Sequence, residues 1–177
     1  MAHDQVSFDW TDPSLRALLD GLGVEIVDGA LKPPFELGPG TGPIHVAAVG
    51  WATVELDRAA EDLGTQLGTT FEQAHRDALL GATVRRSTSG DPGILLLEPD
   101  TEGRLSGALA RFGEGPIALY VGVPGLGRLQ AQLSIRAGTG PLGPARLVLA
   151  GQPWGPFLIL VEREASKQAA DRVPSEP

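Results

Sequence analysis

Apolar and polar positions change their period several times along this chain, and each change marks an element. Leu15, Leu18, Leu19 and Leu22 have the three-and-four spacing of one helix face. Asp12-Pro13 ahead of them offers an N-cap and a first-turn proline, and Gly21 and Gly23 stop the run, so a short amphipathic helix is predicted. Val24 to Val27, Asp28-Gly29 and Ala30-Leu31 read as a hairpin that Pro33-Pro34 cuts short, with a loop from Pro33 to Pro43.

Ile44 to Val54 is rich in β-branched and small apolar residues and predicts a long strand, with Gly50 a candidate bulge. The period then becomes helical through Leu56, Ala59, Ala60, Leu63 and Leu67, with Asp57 a candidate cap. Thr70-Phe71-Glu72-Gln73 fits a capping box, which predicts a helical turn carrying His75 before a strand from Ala82 to Arg86. The turn Ser89 to Gly93 leads into a strand from Ile94 to Glu98. A helix starting at Asp100 or Thr101 follows, with Leu105, Leu109 and Phe112 on one face and Gly113 as its stop. Ile117 to Val123 is the next strand, Leu126, Leu129 and Leu133 suggest a further helix, and Arg146 to Ala150 and Phe157 to Glu162 close the pattern. After Glu164 the chain is polar and is expected to fray.

The order from Ile44 is thus two similar halves. An α+β domain over 44–164 is expected, with modules at about 44–115 and 116–164, a helix-and-hairpin extension at 1–43 and a flexible tail at 165–177. A chain of 177 residues supports one such domain with a real core. Gly at 24 and Pro at 15, scattered between apolar runs, fit short elements joined by tight turns.

Charge and composition narrow the function classes. A net charge of −8 with no basic run argues against nucleic acid as a partner, because phosphate binding depends on Lys and Arg. The same charge suits a cationic ligand, or simply keeps the protein soluble. The chain holds no cysteine, which excludes disulfides, thiolate metal sites and cysteine nucleophiles. No apolar stretch approaches the roughly 20 residues of a membrane span, so a cytoplasmic protein is expected. No Gly-x-Ser-x-Gly motif is present, and Pro124-Gly125-Leu126-Gly127 lacks the rest of a phosphate loop.

Leu95-Leu96-Leu97-Glu98-Pro99, a helix and then Gly113-Glu114-Gly115 resemble the methylmalonyl-CoA epimerases of the vicinal oxygen chelate (glyoxalase-like) superfamily. Val54-Glu55-Leu56-Asp57-Arg58-Ala59 is similar to that family's first strand-to-helix junction, with Glu55 where Asp is usual. The resemblance covers about residues 44 to 162. It implies two βαβββ modules whose curled mixed sheet surrounds a cavity, with a divalent metal held by one residue from each of four strands.

Residue by residue, the resemblance predicts that this metal site is lost. The family's first histidine falls at Ala48, or at Ala47 or Val49 with one residue of slippage. His45 lies three residues from Ala48, an odd offset that assigns it to the other face of a strand. The second ligand position is Leu95, and Glu98 is expected to face solvent or cap the following turn. Pro116-Ile117-Ala118 stands where the second histidine follows Gly-x-Gly. The end of the last strand, Val161-Glu162, keeps one carboxylate, too little to hold a divalent ion tightly.

Ala48 and Leu95 would share their faces with Gly50, Ala52 and Leu97, either as the wall of a roomy apolar cavity or as core. Trp51, Tyr120 and Trp154 are candidates to stack on a planar ligand; Trp51 reads more readily as core, and Trp154, between Pro153 and Gly155, is the better candidate. His75 is a candidate acid or base, or an exposed helical residue, and Glu162 is the remaining carboxylate. The expected function is a metal-free, cofactor-free protein that binds a small organic molecule, with a homodimer as a possible assembly. The alternatives are an isomerase, lyase or dioxygenase of the same superfamily, and a purely structural or partner-binding module.

Overall fold

The computed structural model describes residues 9–27, 30–34, 44–128, 135–149 and 153–163. Helix α1 (Pro13–Leu22) starts where the sequence places it. The Asp12 carboxylate accepts hydrogen bonds from the Ser14 and Leu15 amides, and Gly23, at φ 65°, ends it in the left-handed conformation that glycine adopts at little cost. Strands β1 (Glu25–Val27) and β2 (Ala30–Lys32) pair antiparallel as expected. Their Asp28-Gly29 turn, most of the 33–43 loop and the tail from 164 lie outside the described residues.

The body of the molecule is an eight-stranded sheet. Its first half holds β3 (His45–Ala52), helix α2 (Leu56–Leu67), β4 (Phe71–Gln73), β5 (Ala82–Ser87) and β6 (Gly93–Pro99). Helix α3 (Arg104–Phe112) leads to the second half, β7 (Gly115–Pro124), a short 3-10 helix at Leu126–Arg128, β8 (Ile135–Gly140), β9 (Gly143–Val148) and β10 (Phe157–Arg163). The strand order is β4-β5-β6-β3-β7-β10-β9-β8. Each half therefore repeats one pattern: its first strand pairs parallel with its last, the others run antiparallel, and the first strands β3 and β7 join the halves antiparallel.

Two strands differ from the expectation. Phe71–Gln73 is β4, not a helical turn, because Glu72 and Gln73 pair with Arg86 and Arg85 across the sheet edge. β8 has no counterpart in the sequence reading at all. These are the outer strands of the two halves, where backbone pairing to one neighbour suffices and no apolar alternation is needed. The helix suggested through Leu129 and Leu133 is a 3-10 turn as far as residue 128, and its remainder lies outside the described residues.

The outer face of the sheet is covered by the two amphipathic helices. Leu15, Leu18 and Leu19 of α1 pack on Val49, Leu119 and Leu160, each burial contributing about 2 kcal/mol. Leu56 and Ala59 of α2 pack on Ile94 and Leu96. The alternate residues of the same strands, Ala48, Leu95, Ala118, Tyr120, Ile159 and Val161, line the inner face. That face is curled: the loop between β4 and β5 reaches β8 at the opposite edge, where the Ala78 amide donates to the Thr139 carbonyl at 3.1 Å.

Candidate functional site

The inner face is closed along most of its length. The Asp77 carboxylate accepts from the Leu79 and Leu80 amides at 2.9 Å each, which folds residues 77–80 into a tight turn. Its second oxygen accepts from the Tyr120 hydroxyl at 2.7 Å, and both residues are 0% exposed. Burial, then the Asp77 charge, pushes the Tyr120 phenol well above its usual 10.0. Leu79 crosses to the second half and sits against Gly138, where a Cβ would come within 2.7 Å of it. Leu105 and Ala108 of α3 fill the end nearer the start of β10.

Of the two readings of the first strand, cavity wall or core, this filling favours core. A Cβ on Gly50 would lie 2.9 Å from both Ala118 Cβ and Leu97 Cδ1 and 3.1 Å from Tyr120. Ala48, Leu95 and Leu97 are core. Tyr120 faces inward, but as a buried strut between the halves rather than as a platform for a ligand.

An opening remains at the other end, where β3 and β6 begin and β5, β7 and β10 finish. It is a depression of about 440 Å³ lined by His45, Ala47, Arg86, Asp91, Gly93, Gly122, Leu142 and Val161, among others. His45 belongs to this face, contrary to the parity argument. A β-bulge between Val46 and Ala48 inserts one residue, so an offset of three returns the imidazole to the inner side. There it lies over Gly122, where any larger residue would collide: a Cβ would stand 2.0 Å from the ring. Arg86 extends from β5 with no carboxylate within ion-pair distance among the described residues, unlike Arg58, Arg76 and Arg85.

The other expected site residues lie elsewhere. Trp51 is on the outer face beside α2. His75 is exposed in the segment after β4, not on a helix, next to an Arg76 that pairs with Asp100. Trp154 packs by α3, its ring 5.1 Å from the Arg111 guanidinium. Glu162 borders the depression, but its carboxylate turns to the Gly125 amide at 2.9 Å. Arg86 was missed because an arginine on a strand carries no local signal. His45 was set aside because a bulge is set by pairing with β7 and has no local signal either.

The residues that carry the sequence resemblance are structural. Glu98 does not cap the turn that follows it; its Oε2 accepts from the Leu56 amide at 2.8 Å and so caps α2 from the neighbouring strand. Glu114 accepts from the Thr53 hydroxyl at 2.6 Å, the Val54 amide at 2.9 Å and the Arg58 guanidinium at 2.8 Å. Those bonds, the Thr53 hydroxyl first, hold its carboxyl at about 2 against an ordinary 4.5. Two acidic residues from successive motifs thus clamp one strand-to-helix junction.

Two βαβββ-type halves joined through their first strands, with a curled inner face, define the class: this is the vicinal oxygen chelate fold. Solved structures with the same architecture include methylmalonyl-CoA epimerase from Mycobacterium tuberculosis, at TM-score 0.58 and 22% identity over 71% of this chain and 92% of that one. A hypothetical protein from Bacillus halodurans matches at TM-score 0.56 and 16% identity, covering 69% and 96%. A variant of the Streptomyces coelicolor methylmalonyl-CoA epimerase, in complex with 2-nitronate-propionyl-CoA, matches at 0.55 and 18%, covering 68% and 98%. At these identities the likeness is one of fold. No protein-family model and no curated protein matches the chain.

The metal that the fold's name implies finds no matching residues here. Ala48, Leu95, Ala118 and Val161 occupy the inner-facing strand positions, all buried and all apolar. Among the described residues no three His, Asp or Glu side chains gather as ligands would. No helix among them is long and apolar enough to cross a membrane.

Proposed function

We propose that this chain is a metal-free binding protein of the vicinal oxygen chelate fold, which seats a small organic anion at the open end of its inner face. One observation carries the reading. Apolar side chains, Ala48 and Leu95 among them, pack the described part of the inner face, and a depression of about 440 Å³ at its end presents an arginine with no carboxylate within ion-pair distance among the described residues. Arg86 offers a planar, permanently charged fork suited to a carboxylate, and Gly93, Gly122 and Val161 supply close apolar contact. A ligand of acyl-chain size fits such a volume. The organic anion bound to the Streptomyces coelicolor epimerase of this fold is in keeping with that class. The absence of cysteine is compatible with a reducing, cytoplasmic setting.

The test is a thermal-shift and calorimetric screen of short-chain carboxylates and acyl-CoA thioesters on the wild-type protein and on Arg86→Ala. A stabilising anion whose affinity falls at least about tenfold in the variant is expected. One tightly held divalent ion per chain, or a ligand indifferent to Arg86, would sink the proposal.

The position of His45 in the same depression favours a second reading, an isomerase or lyase in which the imidazole moves a proton of the anion held by Arg86. Recovery of the bound compound unchanged after prolonged incubation excludes it.

A further inference from the structure

A second opening lies on the outer face, in the gap that α1 and α2 leave between them. It encloses about 340 Å³. Val49, Trp51 and Ile94 form its floor, and Leu63 and Leu67 of α2 line one side. Trp51 is half-buried there, so its ring is part of the wall rather than sealed in the core.

The rim of this groove is acidic. Asp9 and Asp12 stand on the α1 side, exposed Gln66 on the α2 side, and among the described residues no lysine or arginine lines it. Asp9 accepts from the Thr11 hydroxyl at 2.6 Å and the Thr11 amide at 2.9 Å, which lower its pKa and keep it charged. The start of α1 would ordinarily attract an anion, but Asp12 already occupies the Ser14 and Leu15 amides. An incoming anion would have to displace that carboxylate in a chain of net charge −8.

We infer that this groove is a second binding site, distinct from the inner face, for an organic cation with a flat apolar body. The body lies on Trp51 and Val49, where aromatic and cation–π contact add to burial, and the positive head points to Asp9 and Asp12. Charge complementarity selects a cation over an anion of the same shape. The inference does not depend on Arg86 or on the function proposed above.

The test titrates the full chain with phenethyltrimethylammonium, 2-phenylethanol and 3-phenylpropionate and follows backbone amide shifts by NMR. The cation is expected to move the Val49, Ile94 and Leu67 amides and to bind at least about fivefold more tightly than the alcohol, an advantage lost at high salt. Gln66→Arg, an exposed substitution, is expected to weaken the cation about fivefold, whereas Arg86→Ala leaves it unchanged. Equal binding of alcohol or anion at these amides, or indifference to Gln66→Arg, overturns the inference. So does a tenfold gain in affinity on removing residues 1–8, which would make the chain's own N-terminal segment the occupant.

Discussion

Replacing Tyr120 by Phe removes one oxygen and tests whether the inner face is closed by a polar strut. In the native protein that hydroxyl donates to Asp77 at 2.7 Å, and both groups are fully buried. The substitution leaves Asp77 Oδ1 bonded to Leu79 and Leu80 and leaves Oδ2 without its donor. The space freed is smaller than a water molecule, and Gly140 already lies close, with a Cβ there only 3.5 Å from Oδ2. A lost hydrogen bond to a buried charged group costs about 2 kcal/mol. For a chain of 177 residues this lowers the melting temperature by about 6 °C. Urea denaturation and calorimetry measure it directly. The wild type carries a further signature: because burial raises the phenol above its usual 10.0, the contribution is fully present below about pH 10 and is lost as pH rises through the folded value. Tyr120→Phe lacks that alkaline loss. A variant within about 0.5 kcal/mol of the wild type, with the same alkaline profile, would refute the argument.

Gly50→Ala introduces a methyl group at 2.9 Å from two side chains and should lower the urea midpoint by an amount equivalent to about 1–3 kcal/mol; a neutral or stabilising result would restore the roomy cavity. Glu114→Gln should flatten the acid side of the melting curve. The folded pKa of Glu114 is depressed to about 2, so its stabilisation is present above 4.5 and lost as pH falls through 2, and melts between these limits would converge for the two proteins. The carboxylate is partly solvated, so the effect is small, under about 1 kcal/mol.

Much of this architecture is legible in the chain because it rests on local physics. Asp12-Pro13 and Gly23 bracket α1 since an end cap needs only neighbouring amides. Leu56 to Leu67 is helical by its stripe alone, and the central strands stand out because they are buried on both faces. The apolar character of Ala48, Leu95 and the Pro116-Ile117-Ala118 stretch is likewise a property of the sequence.

Tertiary structure decided the rest. The capping-box reading of Thr70 to Gln73 yielded to β4 because cross-strand bonds to Arg85 and Arg86 satisfy more of the backbone than one isolated turn could. His45 changed faces because a bulge is imposed by the partner strand, and a single inserted residue inverts every parity argument upstream of it. The inner face closed because Asp77 and Tyr120, 43 residues apart, meet only after both halves have curled together. The chain alone therefore determined two similar halves and the apolar character of Ala48 and Leu95. Which side chains fill the cup, and that Arg86 and His45 share a depression at its end, follow from long-range pairing and sheet curvature that no local pattern encodes.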